Sequence, residues 1–281
     1  MIRTIQIILL LLCSCSFSQP LGDTKPNDIL PKAKSLKVLN WNVLYQFNHK
    51  TKISQGSNWI KSKQPNVVAL QELNGLSSEG FQEMASRWNH AHAILLKEEG
   101  FAMGLTSDRP IEVIEKQVKG FHHGYLHVKS YDIHFFVVHL WPSEFYETEI
   151  ISAKIKEQLD AGNKVILLGD FNAESPLDAA YLETKPKIKP DFKVLTTYLD
   201  LGLIDVIHKN NTKALVTNPS PLVIPKWQPD LTAVQAQQRR IDFILASPNL
   251  SKQSKKSLIF TTKKVEKISD HYPMLVNFKF P

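Results

Sequence analysis

Lys164-Val165-Ile166-Leu167-Leu168-Gly169-Asp170-Phe171-Asn172 is the stretch that decides how this chain is read. Four apolar residues in a row, two of them β-branched, form a run too short for a helix and without the alternation of a half-exposed strand. Such a run marks a strand covered on both faces. A carboxylate and an amide stand directly at its C-terminal end. Upstream, residues 144–159 have helical spacing and stop at Gly162, so a helix leads into this strand. The same arrangement occurs earlier. Residues 53–63 read as a helix that stops ahead of Pro65, where the residue before proline is driven out of the helical region. Val67-Val68-Ala69-Leu70 follows as a second buried strand and ends in Gln71-Glu72.

Working outward, residues 36–43 form a first strand and residues 77–88 a helix with Ser77 as its N-cap. Strands are expected at 92–96, 101–106, 111–118, 124–128 and 133–139. Residues 191–201 read as helical. Residues 208–237 hold four prolines with little periodicity and read as a long loop. Strands at 240–246, 257–261 and 274–280 close the chain. Many strands with helices between them imply an α/β (α+β) fold, two sheets packed on each other with helices outside. No linker divides residues 36–281, so one domain is expected there.

Composition is that of a globular protein, with 43% hydrophobic and 22% charged residues, which excludes a disordered tail, a collagen-like fibre and a coiled coil. The formal net charge of +7 suits a polyanionic or phosphorylated substrate without selecting one. Arg3 followed by apolar residues 7–12 reads as an export signal over residues 1–18. Two processing routes stay open. Ser16-Phe17-Ser18 offers small residues for a signal peptidase, giving a secreted or periplasmic chain from Gln19 with a net charge of +6. Leu12-Cys13-Ser14-Cys15 resembles a bacterial lipobox, which would anchor the chain to the cell envelope through lipid on Cys15. Cys13 and Cys15 are the chain's two cysteines, so the folded part has no disulfide framework and no cysteine-based zinc site. Residues 19–35 read as a linker.

Polar residues recur at strand ends. Asn42 ends the first strand, Glu72 the second, His139 a middle one, and Asp170 and Asn172 another. Asp242 lies in Arg240-Ile241-Asp242-Phe243, and Ser269-Asp270-His271 precedes the last strand. A buried carboxylate is costly unless paired or bound to a cation. Carboxylates and amides gathered at one sheet edge therefore point to a hard cation with oxygen ligands, Mg²⁺ first among them, with Mn²⁺ as a substitute. Histidines there can meet a phosphate or protonate a leaving group. No HExxH motif, zinc spacing or glycine-rich phosphate loop is present.

Taken together, Asn40-Trp41-Asn42, Gln71-Glu72, Leu105-Thr106-Ser107-Asp108-Arg109-Pro110-Ile111, Val138-His139, Gly169-Asp170-Phe171-Asn172, Arg240-Ile241-Asp242-Phe243 and Ser269-Asp270-His271 resemble, in order and spacing, the deoxyribonuclease-like endonuclease/exonuclease/phosphatase superfamily. The resemblance implies a four-layered α/β sandwich with two packed mixed sheets flanked by helices. It implies that Glu72 is the main metal ligand, with Asn42 supporting the metal and Asp270 a second acidic residue near it. Asp170 would activate the attacking water and Asn172 would hold a phosphate oxygen. His271 would bind the phosphate, oriented by Asp242, and His139 would lie near the leaving oxygen. The expected activity is hydrolysis of phosphodiester bonds, with a DNA or RNA substrate and a secreted nuclease as the leading reading. A sphingomyelinase-like phospholipase or an inositol or other small-molecule phosphatase uses the same residues. A competent residue at every motif position argues against a decayed binding module. The chain is expected to act as a monomer without a stable protein partner.

Other residues receive plainer readings. His127 and His134 are expected on exposed strand faces, and His90 and His92 on the surface. His122-His123 could line the cleft. The aromatic run Trp141, Phe145 and Tyr146 is expected to cover the sandwich edge rather than to stack on substrate. Trp227 is a further candidate substrate contact. Residues 219–225 could form a short apolar hairpin beside the cleft, the feature a lipid substrate would favour. Lys255-Lys256 and Lys263-Lys264 read as solvated pairs.

Overall fold

The computed structural model describes residues 33–142, 145–211 and 215–280. The expected export segment, Cys15 and nearly all of the expected linker lie outside the described residues. Twelve strands follow in chain order: β1 Ser35–Asn42, β2 Val67–Gln71, β3 His92–Leu95, β4 Met103–Ser107, β5 Glu112–Gln117, β6 Tyr125–Ser130, β7 Ile133–His139, β8 Val165–Asp170, β9 Ile204–Asp205, β10 Asp242–Ala246, β11 Ser254–Ile259 and β12 Met274–Lys279. They form two six-stranded sheets, ordered β11-β12-β1-β2-β4-β3 and β5-β6-β7-β8-β10-β9. Each sheet is mixed. The pairs β1–β2 and β7–β8 are parallel and the other neighbours antiparallel.

Both parallel pairs need a crossover, and a helix supplies each. Helix α1, Ile53–Lys63, joins β1 to β2. Helix α3, Phe145–Asp160, joins β7 to β8, after α2 at Ser78–Ser86. Three apolar layers hold the sandwich. Val38, Val67, Leu105, Phe135, Ile166 and Ile244 meet between the sheets. Leu39, Trp41 and Leu70 pack outward on Trp59, Ile60 and Phe81. Phe136, Val138 and Leu167 pack outward on Ile151, Ile155 and Tyr198. The central strands are apolar on both faces because each lies between two of these layers. The expected two packed mixed sheets flanked by helices are thus present.

Four expectations are corrected. Residues 208–237 are not all loop: Pro221–Val223 makes a 3₁₀ turn and Leu231–Gln237 a helix. The Asp230 carboxylate caps that helix by accepting from the Ala233 amide at 2.8 Å. Its seven residues are too few for periodicity to register. Residues 219–225 are no exposed hairpin, since Ser220 and Val223 are buried. His90 is buried, not superficial, with its ring nitrogens on Thr106 Oγ1 at 2.7 Å and the Pro65 carbonyl at 2.9 Å. His127 and His134 are buried under the outer layer, ring nitrogen to ring nitrogen at 2.9 Å.

One element has no precedent in the sequence reading. Leu44 to Lys50 all have positive φ, between 45° and 67°, although none is glycine. Left-handed backbone costs an L-residue roughly 1–2 kcal/mol, so the turn must be held from outside. Asn42 Oδ1 accepts the Leu44 amide at 3.1 Å, and the Glu72 carbonyl accepts the Gln46 amide at 2.9 Å. Phe47 is buried against Trp41, ring centroids 5.6 Å apart. The turn thus grows out of the strand end that carries Asn42.

Candidate active site

Strand register assembles the first row of polar groups. His139 of β7 lies opposite Asp170 of β8, and Asp242 of β10 lies opposite the same Asp170. Three side chains far apart in sequence therefore share one rung at the C-terminal end of the parallel pair. In the other sheet, Asn42 lies opposite Gln71 at the corresponding end. The two rows meet across the sandwich. Asn40 Nδ2 donates to the Gly169 carbonyl at 3.3 Å, and Asn42 Nδ2 donates to Asp170 Oδ2 at 2.9 Å. Gly169 is required here: its φ is +150°, and a Cβ would lie 1.9 Å from the Val138 carbonyl oxygen.

Two site residues leave their strands through left-handed backbone, Glu72 at φ 62° and Asn172 at φ 46°. Such conformations cost on the order of 1 kcal/mol or more and persist where surrounding contacts fix them. The second Asn42 amide N–H donates to Glu72 Oε1 at 3.0 Å, so one amide holds both carboxylates. Asp170 Oδ1 accepts the Asn172 amide at 2.9 Å. Asn172 Nδ2 donates to the Leu140 carbonyl at 3.0 Å.

His271 enters from the loop before β12. Its Nδ1 donates to Asp242 Oδ2 at 2.8 Å, and its Nε2 lies 3.7 Å from Asp170 Oδ2. His139 Nε2 lies 3.6 Å from the same oxygen. The His271 loop is fixed at several points. Its carbonyl accepts from Trp41 Nε1 at 2.8 Å, and its amide donates to Ser269 Oγ at 3.1 Å. Ser269 Oγ donates to the Asn42 carbonyl at 2.7 Å.

Electrostatics divide the two histidines. Burial alone would hold His271 neutral, but the charges of Asp242 and Asp170 outweigh it and raise its pKa well above the ordinary value. The imidazolium form of His271 is therefore favoured. Burial and the His271 charge push His139 down to about 3, so it is neutral. Burial raises the carboxyls: Glu72 to about 7, with the Asp270 charge adding to it, and Asp242 to about 6. Asp170 and Asp270 shift upward for the same first reason. Four carboxyl groups thus gather around His271 with their charged forms disfavoured by burial, and a divalent cation would restore those charged forms.

The donor set fits such an ion. Glu72 Oε2 is buried with no hydrogen-bond partner among the described residues. The charge of Asp270 is felt directly at Glu72. Asn42 turns its amide nitrogen to the carboxylates, while its oxygen is taken by Leu44, so it positions ligands. Asp170, Asp242 and His271 also have ligand atoms within 4.8 Å of one another. A protonated imidazole cannot ligate, however, and the hydrogen bond from His271 to Asp242 accounts for that cluster. Glu72, with its unpartnered Oε2, and Asp270, whose charge reaches it, could hold a cation beside that cluster.

The eight sequence-derived residues are linked through these contacts at one end of the sandwich. Sequence reasoning passed over the supports in residues 215–240. Thr217 Oγ1 accepts the Asp242 amide at 3.2 Å, and Ser220 Oγ donates to the Ser269 carbonyl at 2.7 Å. No local signal marks either, because their partners lie far away in sequence. His123, left open above, is buried against His139 with ring centroids 4.3 Å apart. Its Nδ1 hydrogen-bonds the His139 carbonyl at 3.0 Å.

Comparison with known proteins places this geometry. An apurinic/apyrimidinic endonuclease from Archaeoglobus fulgidus superposes with a TM-score of 0.70 at 19% identity, covering 87% of this chain and 100% of its own. A 3′ phosphatase from Neisseria, bound to a product DNA hairpin, gives the same values. A 3′–5′ exonuclease from Neisseria meningitidis gives 0.68 at 18% identity, with the same coverage of both chains. At these identities the likeness is one of fold. No curated protein matches the sequence. The profile of the Endonuclease/Exonuclease/phosphatase family matches residues 39–271. That span contains every residue assembled above, and the chain belongs to the endonuclease/exonuclease/phosphatase family.

Proposed function

We propose that the protein is an exported, divalent-metal-dependent phosphodiesterase and that its substrate is nucleic acid. The observation that carries this reading is the environment of Asp170. One carboxylate oxygen faces an amide N–H, a neutral imidazole and an imidazolium, each from a different strand or loop. A Mg²⁺ or Mn²⁺ ion held by Glu72 and Asp270 would offset charge on the phosphoryl oxygens and acidify bound water.

The chain's own residues supply the rest. Asp170 orients the attacking water and takes up its proton, opposite the leaving oxygen. His271, kept protonated and in one orientation by Asp242, donates to a non-bridging phosphoryl oxygen as charge builds there. His139 is neutral and lies beside Asp170, so it offers the phosphoryl group an N–H hydrogen bond, and the leaving oxygen takes its proton from solvent as the P–O bond breaks. Asn172, fixed by its left-handed backbone, adds an amide beside the phosphate. Residues 1–18 would deliver the enzyme out of the cytoplasm.

The deciding experiment is an activity panel with Mg²⁺, Mn²⁺ and a chelator. It covers single- and double-stranded DNA, RNA, a 3′-phosphorylated oligonucleotide, sphingomyelin and a simple phosphomonoester. The expected outcome is turnover of nucleic acid that the chelator abolishes and either cation restores. Chelator-resistant turnover, or turnover of sphingomyelin alone, defeats the reading.

A further inference from the structure

A line of rings borders the candidate site, and the chemistry above uses only one of them. Tyr45 stacks on His49 with centroids 4.8 Å apart and meets the edge of Phe101 at 5.6 Å. Phe101 in turn touches His123 at 4.9 Å and His139 at 5.9 Å. His123 meets Trp141 at 5.6 Å, and Trp141 stacks on His122 at 4.1 Å with planes 18° apart. The line therefore runs from Tyr45, whose hydroxyl feels the Glu72 charge, to His139. It meets the catalytic groups at His139.

Three observations say what such a wall is for. First, the outer rings are not core: Trp141 is 39% exposed, His49 and His122 are exposed, and Tyr45 and Phe101 are half-buried, while His123 and His139 behind them are buried. Second, all but Phe101 carry a polar atom, which suits flat, partly polar ligands. His123 Nε2 has no hydrogen-bond partner among the described residues. Third, lysines border the rings, with Glu147 beside His122. Lys97 lies close enough to act on both His123 and His139, and Lys50 and Lys52 flank the left-handed turn. Flat rings with a positive border match nucleobases joined by phosphates. A base inside a duplex hides both its faces in the stack, so a ring wall can engage only an unpaired one.

We infer that Tyr45, Phe101 and Trp141, backed by the buried His123, form a stacking subsite for an unpaired base next to the scissile phosphate, so the enzyme prefers single-stranded nucleic acid. This inference rests on the nucleic-acid reading above and narrows its substrate class. Trp141 is the ring to remove first, because it is exposed and takes no part in the core.

The test compares the wild type with Trp141→Ala, Trp141→Phe and Phe101→Ala on one oligonucleotide in three forms: single-stranded, in a blunt duplex, and with tetrahydrofuran in place of every base. Trp141→Ala should raise KM for the single strand by about 5- to 100-fold, with kcat within about threefold. Trp141→Phe should recover most of that loss, and on the base-free strand the wild type and Trp141→Ala should coincide. Binding of labelled strands to an Asp170→Asn protein gives a readout independent of turnover and should follow the same order. Equal KM for single strand and duplex, or an unaltered Trp141→Ala, overturns the subsite and leaves the nuclease reading standing. Failure to bind or cleave any oligonucleotide, with turnover of sphingomyelin or a phosphomonoester, overturns both.

Discussion

Asp170 shows what a single residue owes to distant ones. Its carboxylate would be costly to bury alone, yet it is held by Asn42 from β1, by the Asn172 amide and by two histidines from β7 and the last loop. The sequence announced most of these residues because strand ends are recognisable and carry the resemblance. It did not announce that His271 and His139 carry different charges, since that depends on how many carboxylates each faces after folding. Removing a preorganised charge-stabilising group costs on the order of 100-fold or more in rate. Asp170→Asn, His271→Ala and Glu72→Ala should each lower kcat by at least about that factor while circular dichroism and melting stay close to wild type. Full turnover by folded His271→Ala would remove the assignment. Asp242→Asn tests the relay separately: an amide cannot hold the imidazolium, so phosphate-analogue affinity should fall together with kcat.

At the scale of elements, the legible parts were those with a long or repeated signal. Helix α1 and strand β7 lie where periodicity puts them. The left-handed turn was invisible, because its backbone is imposed by Asn42, Glu72 and the Phe47 pocket rather than by turn-forming residues. Its dependence on helix α1 is testable. A Cβ at Gly56 would lie 2.2 Å from the Phe47 ring. Gly56→Ala should therefore destabilise by about 1–3 kcal/mol, despite the better helix propensity of alanine. In a Phe47→Ala background the same change should cost far less, and additive losses in the double mutant would refute the contact. The β6–β7 hairpin gives a second case. Its buried pair was misread as exposed because alternation cannot tell a solvated face from one covered by a helix. Burial lowers the pKa of His127 to about 4 and also lowers that of His134. Below the ordinary histidine value the unfolded chain binds protons that the native hairpin refuses. Stability present above pH 6.5 is thus lost as pH falls toward 4, at up to about 1.4 kcal/mol per pH unit for each group. The raised carboxyls act with the opposite sign, so the readout is a difference: His127→Gln should lose less stability than wild type between pH 6.5 and 4.5 in chemical denaturation.

At the scale of the molecule, two sheets meet so that one edge collects carboxylates and amides while the chain as a whole is basic. The layered architecture was legible because doubly covered strands and intervening helices permit few packings. The supports in residues 215–240 were not, since Thr217 and Ser220 act through long-range backbone contacts. The separation of charge has a measurable consequence. Acidic groups cluster at the site, yet the net charge is +7, so on the proposed function a polyanion would be drawn to the surrounding surface and a cation would mediate at the centre. Neutralising several phosphates releases counterions, and affinity then falls as a power of salt concentration. For three neutralised phosphates on a single strand, KM should rise about 10- to 20-fold between 50 and 200 mM salt. A small phosphodiester that reaches only the metal and the histidines should show little change. Measuring both on one preparation separates substrate attraction from effects on the metal site, which would move the two together. A KM for oligonucleotides that stays flat across this range would mean that the basic surface is not a nucleic-acid track, and the substrate would have to be sought among small phosphate esters.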